Sequence, residues 1–294
     1  VNSHILYDSV RGDWELSSNS TGADISSAGR IGSLDADGFT FENTSAGTLN
    51  ASGGTYASWL WKAGGTAVSN TDGDVTTQVS ANTDAGFSIV TWFANAATGT
   101  VGHGLNSAPE LIIAKPRDDS GTNWYVMHTG ALTASQVLNL DTTGAAYTPG
   151  VAHFNSTYPT SSVISYGGYL GNALTNNNKV AYCFHSVEGF SKTGSYTGNG
   201  TNQFIYTGFR PAFVMSKVTS GADNWRMYDS ARIGYNPNNS VLYPNLSNAE
   251  DSPTNHIDLL SNGFRWMSDN NNANGHTFIY LAFAEQPFKY ANAR

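Results

Sequence analysis

The sequence predicts an all-β protein made of tandem antiparallel β-sandwich repeats of about 100 residues, with little helix. Three observations predict it. Two long segments align with each other at a nearly constant offset. Charged residues make up only 12% of the 294, roughly half the usual ~25%. Thirty-one glycines, with abundant Ser, Thr and Asn, replace them, and that mixture favours short strands and tight turns over helices. Finally, the apolar pattern is one of short runs and period-two alternation, without long stretches of Ala, Leu, Glu, Lys and Arg.

The aligned segments run from Phe87-Ser88 through Gly104-Leu105, Pro109, Leu111-Ile112-Ile113-Ala114-Lys115 and Asn123-Trp124-Tyr125-Val126-Met127-His128. Their counterparts are Phe190-Ser191, Gly208-Phe209, Pro211, Phe213-Val214-Met215-Ser216-Lys217 and Asn224-Trp225-Arg226-Met227-Tyr228-Asp229. Phe87 and Phe190 lie 103 residues apart, Lys115 and Lys217 102, and Trp124 and Trp225 101. The N-terminus repeats only the later part. His4-Ile5-Leu6-Tyr7-Asp8-Ser9-Val10-Arg11 matches Trp225 to Arg232, Asn19 and Ala23 match Asn245 and Ala249, and Asp37-Gly38-Phe39 matches Asn262-Gly263-Phe264. This divides the chain into an incomplete first unit (1–65), a second (86–189) and a third (190–294). The Thr/Ser/Asn/Asp/Gly-rich stretch 66–85 reads as a linker or added loop. The first unit lacks the 34 or so residues of its front, so the sequence is expected to be a piece of a longer protein, the alternative being that another chain supplies those strands.

Each element follows from local pattern. Leu111 to Ala114 and Phe213 to Met215 are compact apolar runs suited to strands buried on both faces. Ala108-Pro109 and Arg210-Pro211 impose an extended approach to them. Trp124, Val126 and His128 alternate with Tyr125 and Met127, which sets two faces. Gly38-Phe39 and Gly263-Phe264 end a turn and start a strand. Aromatic strands close the units at Trp59-Leu60-Trp61, Tyr182-Cys183-Phe184 and Leu281-Ala282-Phe283. Helix is expected only as single turns, as at Ser247 to Asp251.

Composition excludes several function classes. A net charge of −8 without any basic cluster repels a polyanion, so nucleic acid is not an expected partner. Cys183 stands alone inside an apolar run, which rules out a disulfide framework and favours a buried, inert thiol. No apolar stretch reaches the ~20 residues needed to span a bilayer, so membrane insertion is not expected, and Val1-Asn2-Ser3-His4 does not begin a signal peptide. Asn-x-Ser/Thr triplets at Asn19, Asn43, Asn50, Asn155 and Asn245 arise by chance in a chain of this composition.

The repeated residues also carry a resemblance. Gly86-Phe87-Ser88-Ile89-Val90-Thr91, Val101-Gly102-His103-Gly104-Leu105, Phe190 to Gly200, Tyr206 to Phe213 and the ending Phe283 to Arg294 resemble an uncharacterised repeat region of tail-fibre-like structural proteins of marine bacteriophages. The resemblance covers essentially the whole chain. It implies a virion location at the tail or particle surface, other virion proteins as neighbours, and a host surface glycan or protein as the target. It also implies a non-enzymatic attachment role and, by analogy with tail fibres, a homotrimer. A head fibre or capsid decoration protein, and a tailspike depolymerase cleaving host polysaccharide, are the alternatives.

No residue pattern points to catalysis, a cofactor or a metal. The Asp8/His128/Asp229 position precedes Ser9, Thr129 and Ser230, as in a hydrogen-bonded turn. His185 and Ser186 are adjacent on a strand and face opposite ways, so they do not form a base–nucleophile pair. Glu188, Glu250, Asp258 and Glu285 would be needed in pairs for glycoside hydrolysis, and no spacing assembles them. Asp72-Gly73-Asp74 and Asp118-Asp119 lack the rest of a calcium loop, and His103 has no companion ligands. Trp59, Trp61, Trp124, Trp225, Tyr182 and Phe184 recur at equivalent positions and belong to the core. Trp14 and Tyr147, Tyr158, Tyr166, Tyr169, Tyr235 and Tyr243 fall in Gly/Ser/Asn-rich stretches. The tyrosines are the candidate ligand or interface residues, since Tyr gives broad amphipathic contact.

Overall fold

The computed structural model describes residues 2–26, 30–41, 49–173, 178–252, 256–268 and 271–286; Asn43 and the run from Pro287 to Arg294 lie outside them. Among these residues the chain is all-β, with one 3-10 turn at Gly168–Leu170. No helical turn forms at Ser247 to Asp251. There Val241 and Asp251 exchange both backbone hydrogen bonds instead, at 2.9 and 3.0 Å.

The first unit supplies β1 (Ile5–Asp8), β2 (Gly12–Ser17) and β3 (Ile25–Ser26), which form one antiparallel sheet in that order, and a hairpin of β4 (Ile31–Leu34) and β5 (Phe39–Phe41). Trp14, placed among the loop residues by its sequence surroundings, lies on β2. The stretch 66–85 is no linker. It contributes β6 (Val68–Asn70) and β7 (Thr77–Asn82), which extend the sheet of the second unit through β8 (Phe87–Phe93). Alternate polar residues on these strands stay exposed while Thr77, Val79 and Ser80 are buried, so composition alone disguised them as loop.

The second unit continues with β9 (Gly99–Gly102), β10 (Leu111–Pro116), β11 (Tyr125–His128), β12 (Leu138–Asn139), β13 (Val163–Tyr166) and β14 (Asn178–Phe184). Its main sheet has the order β12-β11-β10-β14-β8-β7-β6, and β9 pairs with β13 in a small second sheet. The third unit comprises β15 (Ser191–Thr197), β16 (Gln203–Tyr206), β17 (Pro211–Val218), β18 (Arg226–Asp229), β19 (Ile257–Leu260), β20 (Gly263–Trp266) and β21 (Thr277–Ala284). Its sheets run β15-β21-β17-β18 and β16-β20-β19. The order β8-β14-β10-β11 is thus matched strand for strand by β15-β21-β17-β18.

Period two assigns the two faces of each main sheet to different cores. Ile112, Ala114, Tyr125, Met127, Ala181 and Cys183 pack with Val101 and Ile164 of the small sheet. Val214, Tyr228, Tyr280 and Ala282 pack likewise with Ile205, Leu259, Phe264 and Trp266. The opposite faces do not form separate sandwiches. Leu111, Ile113, Trp124, Val126 and Tyr182 meet Phe213, Met215, Trp225, Met227, Leu281 and Leu16 in one central core, with Leu6 and Trp59 against it. The units therefore share their innermost layer and are not serial beads.

Contacts at equivalent positions recur around this core and close a ring. Trp124, in the second unit, donates its indole N–H to the Ser17 carbonyl of the first at 2.9 Å. Trp225, in the third, donates to the Asn139 carbonyl of the second at 2.9 Å. His4 takes the tryptophan position in the first unit, but its imidazole Nε2 makes no counterpart of the indole bond. The main-chain N–H groups of His4, Trp124 and Trp225 donate to Asn19, Asp141 and Asn245 Oδ1 at 3.2, 3.0 and 3.0 Å. Near the centre Ser18 donates to the Pro244 carbonyl at 2.7 Å. Each unit grips the one before it, and the first grips the third.

Candidate ligand-binding site

Two further features reinforce the joints before any ligand surface is reached. Lys115, buried on the inner face of β10, donates from Nζ to Thr122 and across the joint to the Thr21 carbonyl at 3.3 Å. Lys217 repeats this on β17, donating to the Asp223 carbonyl at 2.8 Å and to that of Thr143 at 3.1 Å. Burial pushes both ammonium groups down to about 8. The carbonyl cages still hold them charged at neutral pH, because buried cations persist only when solvated by the protein.

The Asp8/His128/Asp229 position is a turn device. Asp8 Oδ1 accepts the Val10 and Arg11 N–H groups and Oδ2 the Arg11 Nε; Asp229 does the same for Ala231, Arg232 and Arg232 Nε. His128 Nδ1 accepts only the Gly130 N–H, at 3.2 Å. The ring neighbour completes the position. Tyr182 donates to Asp8 Oδ2 at 2.8 Å, and Arg232 stacks over Trp59 at 5.8 Å.

The other polar positions are structural as well. Ser186 and Thr193 donate to Glu110, across the boundary of the second and third units, while the His185 ring turns to the Ser186 carbonyl. Glu250, Asp258 and Glu285 are each bound by an arginine, Arg232, Arg265 and Arg210 respectively. Asp74 accepts the Thr100 N–H and hydroxyl, and Asp118 accepts the Asn178 N–H. His103 bonds the Thr160 carbonyl and the Leu105 N–H. Cys183 is buried, and burial pushes its thiol up to about 12. Among the described residues no three His, Cys, Asp or Glu side chains gather closely enough to hold a metal.

The six tyrosines separate. Tyr166 is buried on β13 and tilted against Trp92 at 6.2 Å, so it is core and not ligand surface. Tyr243 is half-buried against the outer core of the third unit and donates to Asp251 at 3.0 Å. Tyr235 projects alone from a third-unit loop, 71% exposed. Tyr158 is exposed but tethered through its hydroxyl to the Leu132 carbonyl at 2.7 Å.

Tyr169 joins an aromatic stack, and Tyr147 lies within electrostatic reach of it and of Tyr125. Tyr125, pointing outward from β11, packs on His153 with ring centroids 3.9 Å apart, and Tyr169 stacks over both at 6.3 and 5.5 Å with interplanar angles of 23° and 21°. The 3-10 turn carrying Tyr169 is pinned by buried Leu170. Gly168 lets it approach: its φ is +53°, and a Cβ there would meet His153 Nδ1 at 2.7 Å. Tyr147 is fixed by paired backbone bonds to Val137 at 2.9 and 3.0 Å and by its hydroxyl to Asn139 at 3.2 Å. Burial, then the neighbouring tyrosines and Asp141, raise the Tyr125 hydroxyl well above its ordinary value; burial pushes His153 down to about 4. Tyr125 and His153 are therefore neutral at physiological pH. Tyr147 and Tyr169 remain 38% and 45% exposed. Each offers an exposed ring face, and Tyr147 lies beside the Asn139 amide, which accepts its hydroxyl. Neither Tyr125 nor His153 stands out in the sequence, since Tyr125 sits within a strand pattern and His153 in a polar loop.

No curated protein and no solved structure is detectably similar to the chain. Residues 1–287 match the family model described as Domain of unknown function (DUF7483), and the chain belongs to that family.

Proposed function

We propose that this protein is a non-enzymatic structural and adhesive module of a phage tail fibre or spike, attaching the particle to a host-surface glycan. The exposed Tyr169 ring, already stacked on His153 and Tyr125, carries this reading, with Tyr147 as a second exposed ring held by Asn139. An aromatic face packs against the C–H side of a sugar ring, and adjacent amides take its hydroxyls. Because the rings are already held by His153, Tyr125 and Asn139, little side-chain freedom is lost on binding. A surface poor in charge suits a neutral ligand and is little affected by salt, which screens charges beyond about 8 Å at physiological strength. Contacts of this kind are weak singly and gain through multivalency, the homotrimer implied by the resemblance being the assembly that supplies it.

The test is retention of the purified protein on an array of bacterial surface polysaccharides. Tyr169→Ala and Tyr147→Ala should each lower retention at least tenfold with an unchanged melting midpoint, and no reducing ends should be released. Undiminished retention in both variants overturns the assignment of the site; release of reducing ends overturns the non-enzymatic reading. Imaging of labelled particles should place the protein on the tail.

A further inference from the structure

In the second and third units the closing aromatic strand lies in mid-sheet: β14 between β8 and β10, β21 between β15 and β17. Its counterpart in the first unit, Trp59-Leu60-Trp61, forms no strand, and residues 57–61 make no backbone hydrogen bond to any described residue. Yet the side chains sit as β14 would seat them. Trp59 packs against the central core and Trp61, 37% exposed and so not core as its repeat position suggests, covers its edge, with ring centroids 5.8 and 5.7 Å from Phe213. Leu60 faces outward, 57% exposed, where its counterparts Cys183 and Ala282 are fully buried.

A second open edge belongs to the same unit. β11 and β18 pair on one side with β10 and β17. Their counterpart β1 pairs with β2 alone among the described strands. The two unpaired edges thus flank one strand position, that of β10 and β17. A third feature falls at the same place. The Thr21 and Thr143 carbonyls each receive a buried lysine from that position, whereas the equivalent residue of the third unit, Ser247, is exposed.

We infer that β1 and residues 57–61 form an acceptor for one β-strand, and that its occupant is a peptide segment from outside residues 1–294 with the sequence pattern of β10 and β17. That pattern is three apolar residues, a small one and lysine. Pairing would follow the register Leu111↔Phe184, Ile112↔Cys183 and Ile113↔Tyr182, with Trp61, Leu60 and Trp59 opposite the three apolar positions. The lysine would then reach the Ser247 carbonyl. Main-chain bonds would supply affinity and the alternating pockets specificity, as in other strand-addition complexes. An edge left open in this way is otherwise a template for unwanted pairing.

The experiment titrates the 294-residue protein with a synthetic peptide of residues 109–118, reading calorimetry and amide exchange. Saturable one-to-one binding is expected, with new protection at residues 5–8 and 57–61. Replacing the peptide lysine by Glu, or Leu60→Asp in the protein, should each weaken it at least tenfold. Leu60 is exposed, so the variant retains its fold, checked by an unchanged melting midpoint. Equal binding of a scrambled peptide, protection elsewhere, or absence of binding overturns the proposal. So does self-association of the peptide-free protein through the same edges, which would make a second copy the occupant.

Discussion

The third unit and the first carry the same aromatic closing motif, but only one of them builds a strand from it. In the third, Leu281-Ala282-Phe283 lies between β15 and β17 with every residue paired. In the first, Trp59-Leu60-Trp61 keeps its inward packing against Phe213 and Phe283 but no ladder. The alternation of side chains is thus set by burial of one face, while the strand itself depends on neighbours that supply backbone partners. Residue pattern decides which side chains turn inward; topology decides whether the backbone is paired.

The largest expected effects lie where a ring joint and the central core coincide. Trp124 and Trp225 are fully buried and bond the preceding unit. Each Trp→Ala change should cost about 3–5 kcal/mol, read as a lowered urea midpoint. Trp59→Ala should cost well under half as much, because its ring is only partly covered. Equal costs at the three positions would erase the difference between the units.

Next in size comes the Asp–Arg turn. In the first unit Asp8 and Arg11 have almost no solvent contact and share Tyr182, so Asp8→Ala leaves a buried guanidinium with only a 4.0 Å approach to Asp24 as its ionic partner and should cost about 3–5 kcal/mol. In the third unit Arg232 is partly exposed and keeps Glu250 as a second partner. Asp229→Ala should therefore cost about half as much. A larger loss at Asp229 would place the tighter joint between the first and third units.

How much of this was legible follows from where the information resides. The all-β class, the buried runs at Leu111 and Phe213 and the two faces of Trp124 to His128 could be read because period two is written in side chains. The shared central core could not. Leu111 and Ile113 announce that their face is buried without saying whether a second sheet of the same unit or a neighbouring unit buries it. The ring joints were hidden for a related reason, since Ser17, Asn139 and Pro244 act through main-chain carbonyls that any residue provides. β6 and β7 resemble a linker because polar residues of their own stay exposed between the buried ones. Of the candidate tyrosines, Tyr147 and Tyr169 were chosen on loop composition. His153, which stacks on Tyr169, carries no signal, and Tyr166 joins the group through a Gly-rich neighbourhood although its side chain is core.

Acid should separate the second unit from the others. Burial pushes His128, His153 and His256 down to about 4, and two of the three belong to the second unit. The unfolded chain protonates near 6.5 while the folded chain stays neutral, so the folded state is at full strength above pH 6.5. It weakens as pH falls toward 4, by roughly 1–3 kcal/mol per histidine. Urea midpoints measured from pH 7.5 to 4.5 should hold to about pH 6.5 and fall below it, and His153→Asn should flatten the curve. A profile without slope between pH 6.5 and 4.5 would mean that these rings accept protons inside the fold.

The smallest effect is expected where the two closing motifs differ most. Leu60→Ser should change stability by no more than about 0.5 kcal/mol, as for other exposed positions. The same polar group at Ala282, fully buried in the outer core of the third unit, should cost roughly 1–3 kcal/mol. Amide exchange sharpens the contrast further. Residues 57–61, without backbone partners, should exchange close to the rate of an unfolded peptide, whereas β14 and β21 should open only with the whole molecule. Protection of 57–61 equal to that of β14 would show the segment already paired in solution. The difference between the units would then be one of partner and not of pairing, and the open acceptor would not exist.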